Sequence, residues 1–357
     1  MRWIWFAVPC FYRRRAFMHK NTSLKNKKAA EACVEKGNWL IRFLRWLLPW
    51  KGDRPKTVIL KIVFLIFVIA FLVSGGMLLD YYIKDSMAGN EYTVLQSLKD
   101  GSDPVQEPSA TVEPVEMPEG YRERFSALYQ RNEEVCGWLE IAETSIDFPV
   151  VKPEDNSFYL THTFNGNCNT TGAPFIDYRN DFSEENMSTN TIIYAHNLNS
   201  GRMFHDLVNY KNVSYYKEHP VISYDTVYAD HDWKIIGMFF TNADMSLEDS
   251  FDYHNFINKQ SDEQFYSFLN EAMQRSFFTT GVDVNAGDKL LMLSTCDNAF
   301  DNSRLVVLAR IVRPGESTEV DVSQARQNAN QYLPQNYIDK MGGTYRVYNP
   351  DYVFYKP

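Results

Sequence analysis

The sequence is poor in residues that build metal sites or disulfide frameworks. Its 357 residues hold five cysteines, Cys10, Cys33, Cys136, Cys168 and Cys296, and seven histidines. There is no C-x-x-C, no H-E-x-x-H and no other ligand spacing, so neither a metal site nor a cofactor is implied. No internal repeat is found, and low complexity is confined to residues 99–118. Basic charge is scarce beyond residue 61, where 21 Lys/Arg face 42 Asp/Glu. Residues 1–61 reverse the balance, with 15 basic against 3 acidic side chains. Such asymmetry points to a membrane or a nucleic acid as partner of the basic segment.

The position of the charge boundary favours the membrane and sets nucleic acid aside. Residues 62–79, IVFLIFVIAFLVSGGMLL, carry no charge. With Val58–Leu60 and Lys61, whose ammonium can reach back to the interface, they make about 33 Å of helix at roughly 1.5 Å per residue. A hydrocarbon core is about 30 Å thick. Lys51, Arg54, Lys56 and Lys61 crowd the N-terminal flank, which predicts a cytoplasmic N-terminus and an external remainder. A cleaved signal peptide is the alternative, but its apolar region is usually shorter and no A-x-A site follows here. Residues 38–50, NWLIRFLRWLLPW, read either as an interfacial amphipathic helix or as part of a disordered basic arm. Three cysteines then lie outside the membrane, an odd number that leaves at least one free thiol.

The resulting organisation is a cytoplasmic basic arm (1–57), a membrane anchor (58–79) and an acidic Pro-rich tether (80–118). A folded domain over 119–314 and a C-terminal extension over 315–357, of unread role, complete it. Residues 80–98 read as a short polar extension. Residues 99–118 carry four prolines and five acidic residues, a composition too polar to bury. Helical spacing of Phe125, Leu128 and Tyr129 opens the domain. Short apolar runs bounded by turn residues follow, among them NTIIYA, WKIIGMFF, DKLLMLST and RLVVLARIV, which predict an all-β sandwich or barrel. One helix interrupts them at 261–278, with Ser261 as cap.

The chemistry gathers where strands end. Cys296 ends KLLMLST, the loop DNAFDNS follows, and Arg304 opens the next apolar run. If that loop is a hairpin connection, the strands are antiparallel and thiol and guanidinium share one rim. A guanidinium beside a thiol can favour the thiolate and hold an oxyanion. NTIIYAHN places His196 at the end of another buried-type strand. Each has a plainer reading when taken singly: a packed cysteine, a surface histidine and a solvated arginine. Arg310 and Arg313 show how common strand arginines are here.

Several colinear motifs between about 132 and 312 resemble those of a class B sortase, a membrane-anchored cysteine transpeptidase of Gram-positive bacteria. NEEVCGWLEIAETSIDFPVV resembles the family's opening block, and NSFYLTHTFNGNCNTTGAPFIDYRND its Y-L-x-H-x-F…G-x-x-F-x-D block. NTIIYAHNLNSGRMFHDLVNY resembles its histidine motif, LSTC its nucleophile motif and SRLVVLARIV its arginine strand. Ala195 stands where the family usually has glycine, and the tail after 314 is long for it.

The resemblance implies a mainly β fold: a closed sortase-type barrel of about eight strands, with an N-terminal helix and an extra helix before the nucleophile strand. It implies Cys296 as nucleophile, His196 as acid/base and Arg304 as the oxyanion cation. Ser294, Thr295 and Asn197 are expected to bind substrate, and the extra helix to wall the groove. Arg310, about 20 Å further along the strand, is the weaker candidate for the arginine role. The implied partners are secreted proteins with a C-terminal sorting signal cleaved after Thr, and a peptidoglycan cross-bridge amine. The pilin-polymerising class is the nearest rival. It commonly carries an Asp-Pro-aromatic lid and a C-terminal membrane segment, whereas Asp103-Pro104 precedes Val105 and no hydrophobic stretch closes this chain. A papain-like hydrolytic protease would expect an Asn partner and a helix-borne cysteine, and LLMLST reads as strand.

Overall fold

Strands that are apolar on every residue, as in LLML and LVVLA, need cover on both faces. The computed structural model describes residues 39–99, 115–297 and 299–356, and it supplies that cover. The basic arm before residue 39 and the tether over 100–114 lie outside the described residues. The chain divides into two units, residues 1–80 and 81–357.

In the first unit, helix α1 (Trp39–Leu47) leaves Trp39 and Trp46 exposed. Helix α2 (Pro55–Lys99) starts on a proline, which suits a first helical position because its missing N–H would have had no partner there. The Lys61 ammonium donates to Asp53 Oδ2 (2.8 Å) and to the carbonyls of Leu48 and Arg45, so it does bend back from the apolar run. Helix α2 is long and apolar enough to cross a membrane.

Residues 81–99 belong to the second unit and differ from the polar extension expected of them: they are helical, forming the C-terminal part of α2. Asp85, Ala88, Tyr92 and Leu95 recur at helical spacing and are buried, and Tyr92 packs edge-on against Phe148 with ring centroids 5.0 Å apart. A polar sequence with one sparse apolar stripe is legible as a helix only once that stripe has a partner. After residue 114 a short 3-10 turn (Glu123–Phe125) runs into the single-turn helix α3 (Ser126–Tyr129), and together they bury Phe125, Leu128 and Tyr129.

The barrel is built from β1 (Val135–Glu140), β2 (Asp147–Val151), β3 (Phe175–Ile176) and β4 (Asn190–Tyr194), then, after the short helix α4 (Val213–Glu218), β5 (Val221–Thr226) and β6 (Asp232–Asn242). Helix α5 (Asp262–Arg275) and the two-residue β7 (Phe278–Thr279) lead to β8 (Leu290–Cys296) and β9 (Ser303–Ile311). The sheet closes in the order β1-β2-β3-β4-β8-β9-β6-β5, an eight-stranded barrel as expected. The β2–β3 and β4–β8 pairs are parallel and the rest antiparallel.

Alternate residues of β8 and β9 feed two apolar clusters. Leu291, Leu293, Leu305, Val307 and Ala309 join the larger one, whereas Leu290, Met292, Val306 and Leu308 pack with α5 through Phe265, Leu269 and Met273. Ser261 Oγ caps α5 by accepting from the Gln264 N–H at 3.2 Å.

The C-terminal extension is a strap over α5. The Asn270 amide accepts from the N–H groups of Phe354 and Tyr355, both at 2.8 Å, and donates to the Tyr355 carbonyl. Arg275 is enclosed by the rings of Phe251, Tyr332 and Tyr348. Strand β10 (Arg326–Gln327) pairs with β7, and helix α6 (Gln335–Met341) inserts Tyr337 against Phe240, Phe277 and Phe300.

Candidate active site

Strand register brings the expected residues together. The last rung of the β8–β9 hairpin pairs Cys296 with Arg304. Six residues on, Arg310 pairs with Leu290 at the opposite end. Arg310 is 1% exposed, and its guanidinium is taken up by Glu316 and Asp283. It is a buried structural ion pair, far from the thiol.

His196 arrives by a parallel strand. Tyr194 of β4 is in register with Ser294 of β8, and the Ala195 N–H donates to the Ser294 carbonyl at 3.3 Å. His196 therefore stands two residues past this rung on one strand, as Cys296 does on its neighbour. Parallel strands emerge at the same edge, so both functional groups reach one rim. His196 Nε2 lies 2.8 Å from the Leu160 carbonyl. A carbonyl only accepts, so Nε2 carries the proton of the neutral ring and Nδ1 keeps the lone pair.

Cys296, His196 and Arg304 line one cleft of about 370 Å³. Ser294 and Thr295 line its floor, each 2% exposed, and the Ser294 hydroxyl is engaged with Tyr253 Oη at 2.7 Å. Asn197 is placed differently. Its side-chain oxygen pairs with His205 Nδ1 at 3.0 Å, and it is not among the residues lining the cleft. The extra helix does not wall the cleft either; that place is taken by Asn242, Ala243, Tyr253 and His254, from the end of β6 and the connection that leads to α5.

The cleft has a charged underpinning that sequence reasoning missed. Tyr194 lines it and donates to Asp177 Oδ2 at 3.1 Å. Asp177 is fully buried and paired with Arg179, whose guanidinium also donates to the His254 carbonyl and to Asn255 Oδ1. Burial pushes the Asp177 carboxyl upward, but hydrogen bonds from Arg179 and Asn156 outweigh it and hold it below its ordinary value. Burial likewise raises the Tyr194 phenol far above its usual range, so it stays a hydrogen-bond donor. One ion pair thus ties the strand beside His196 to the opposite wall.

Of the three cysteines among the described residues, Cys136 is buried, and burial pushes its thiol up to about 12. Cys168 and Cys296 are exposed and free. No group of three or more His, Cys, Asp or Glu side chains among the described residues is arranged to hold a metal ion.

A closed eight-stranded mixed barrel with a cysteine, a histidine and an arginine at one rim is the architecture of a sortase-type cysteine transpeptidase. Residues 139–312 match the sortase domain model. Sortase B of Listeria monocytogenes is 31% identical over 193 residues, 54% of this chain and 75% of that protein. The crystal structure of sortase B from Bacillus anthracis in complex with AAEK1 is 28% identical with a TM-score of 0.54, covering 65% of this chain and 99% of that one. The Staphylococcus aureus sortase B–substrate complex, at 26% identity, has the same TM-score and the same coverage. The chain belongs to the sortase family, in its class B.

Proposed function

We propose that the protein cleaves a C-terminal sorting signal of secreted proteins after Thr and joins the new carboxyl end to a cell-wall amine. The observation that carries this reading is the pairing of Cys296 with Arg304 on the last hairpin rung, beside the strand that delivers His196. The Cys296 thiol gives its proton to His196, its sulfur attacks the Thr carbonyl, and the carbonyl π pair moves onto oxygen. Arg304 offsets that oxyanion through its guanidinium N–H groups. As the C–N bond breaks, protonated His196 gives its proton to the leaving amine, and a thioester to Cys296 remains. A peptidoglycan cross-bridge amine then attacks the thioester, His196 accepts the proton this amine loses, and the thiolate leaves. A thioester suits the relay because it stays reactive toward amines after the first product departs.

Ser294 and Thr295 shape the floor on which the signal lies, and Asn197 serves substrate through the turn that carries His196. Helix α2 anchors the protein by a single span. Its basic flank, with Lys51, Arg54, Lys56 and Lys61, supports a cytoplasmic N-terminus and an external barrel. The solved Staphylococcus aureus relative is described in complex with a substrate, which supports a peptide in this cleft. The test is product analysis with sorting-signal peptides and an amine acceptor. Ligated product that depends on acceptor concentration is expected; hydrolysis alone at saturating acceptor would overturn the transferase reading.

A further inference from the structure

The turn after His196 is closed at its base and held at its tip by a different element. Asn197 bridges to Met203, and the Phe204 N–H donates to the His196 carbonyl at 2.9 Å. Met203 is buried at φ 58°, a left-handed conformation that costs a non-glycine residue energy and persists only when neighbours enforce it. At the tip, Ser200 Oγ donates to Asp85 Oδ1 at 2.7 Å, and Arg202 Nη1 pairs with Asp85 Oδ2 at 3.0 Å and also donates to the Asp85 carbonyl. Asp85 is 7% exposed on α2. One helical turn further along that helix, Gly89 leaves room for the guanidinium. A Cβ there would come within 2.5 Å of Arg202 Cζ. Glycine is a poor residue for a helix interior, so its place in the notch needs a reason, and the bulk of Arg202 supplies one.

The same helix reaches the other side of the histidine. Tyr92 Oη donates to the Gly172 carbonyl at 3.3 Å. Gly172, at φ 65°, packs so close to the imidazole that a Cβ would sit 3.1 Å from His196 Cδ2. Asn169 donates to the Lys84 carbonyl at 2.9 Å.

We infer that Asp85 and Gly89 of α2 form a socket for Arg202 that positions His196 for proton transfer, making residues 81–99 a working part of the active site. The inference rests on the assignment of His196 as acid/base. Asp85, Gly89 and Arg202 are positioning residues: they act through the turn and touch no reacting atom.

Gly89→Ala separates this role from a general structural one. Alanine is the better helix former, which offsets part of what a loosened Asp85–Arg202 pair costs, while the added methyl displaces the guanidinium. In the full-length protein in nanodiscs, Gly89→Ala and Asp85→Ala are expected to lower kcat for peptide cleavage about tenfold with KM little changed. The Gly89→Ala melting temperature should fall no further than that of Asp85→Ala. In protein labelled with ¹³C-histidine, the His196 ring resonance, assigned with His196→Gln, is expected to move in both variants. An unmoved His196 resonance together with wild-type kcat in Gly89→Ala would overturn the socket. A moved resonance with normal activity in His196→Gln would retain the socket as a structural clasp and overturn its catalytic purpose along with the His196 assignment.

Discussion

Cys296 and Arg304 face each other across the final rung of the β8–β9 hairpin, eight residues apart in sequence and neighbours in space. Arg310, on the same strand, is fully buried and committed to Glu316 and Asp283. The two arginines should therefore fail in different ways. Arg304→Ala is expected to lower kcat by roughly 100–1,000-fold, as loss of one oxyanion donor does, with an unchanged melting temperature. Arg310→Ala removes a fully buried cation from its ion-pair network, leaves Glu316 with Lys234 as its remaining cation, and should cost on the order of 3 kcal/mol of stability. Steady-state kinetics and calorimetry on both variants decide the matter. Arg310→Ala with normal stability and abolished catalysis would reverse the assignment.

Thiol chemistry should be selective. Cys136 is buried with its thiol raised to about 12, whereas Cys168 and Cys296 are exposed. In a Cys168→Ser background, iodoacetamide is expected to modify Cys296 and spare Cys136 in the folded protein, and to abolish cleavage in step with modification. Peptide mapping that placed the label on Cys136, or full labelling of Cys296 without loss of activity, would contradict the proposed nucleophile.

Gly172 should tolerate no side chain. At φ 65° an L-residue pays roughly 1–2 kcal/mol, and its Cβ would meet the Tyr159 carbonyl at 2.6 Å as well as the His196 ring. Gly172→Ala is expected to lower both melting temperature and kcat. Wild-type kcat in that variant would show that His196 does not depend on this contact.

The Asp177–Arg179 pair sets an acid limit to stability. The folded Asp177 carboxyl titrates below its ordinary value of 3.8, so its contribution is complete above the unfolded value and is lost as pH falls through the lowered folded one. Wild-type stability should therefore drop below about pH 4. Asp177→Asn should show a smaller drop over that window, and lower stability at pH 7 because Arg179 is left uncompensated. Denaturant unfolding from pH 2 to 7 measures both; parallel curves for the two proteins would contradict this role.

The C-terminal extension should matter through Tyr337. Its ring fills a space between Phe240 and Phe277, and it also meets Phe300 of the loop that follows Cys296. Tyr337→Ala is expected to cost about 3–5 kcal/mol, as large-to-small changes of buried aromatics do. Thermal unfolding checks this, and a loss well under 1 kcal/mol would mean the strap is dispensable.

How far the sequence foreshadowed these features follows from the range of the interactions involved. LLMLSTC and RLVVLARIV are continuous apolar runs because both faces of β8 and β9 are covered, so strand, hairpin and the meeting of Cys296 with Arg304 could be worked out locally. Ser261 marked its helix because a cap acts within one turn. The helical character of 81–99 was hidden because its buried face is a stripe of four residues in a polar stretch. The wall made by Tyr253 and His254 follows no period, and although Asp177 closes the G-x-x-F-x-D block, it acts on Tyr194 across strands, so its role left no local pattern. Asn197 looked like a cleft residue from its place after His196, yet its side chain serves the turn.

The central claim is that Cys296 carries the acyl group between two amines. Full-length protein mixed with a sorting-signal peptide library, without acceptor, should be quenched in acid and mapped by mass spectrometry. An adduct on the peptide containing Cys296, with the mass of the signal up to its Thr and discharged by added amine, is the expected result. Turnover of peptide with no adduct on Cys296, or undiminished turnover by Cys296→Ala, would contradict the account.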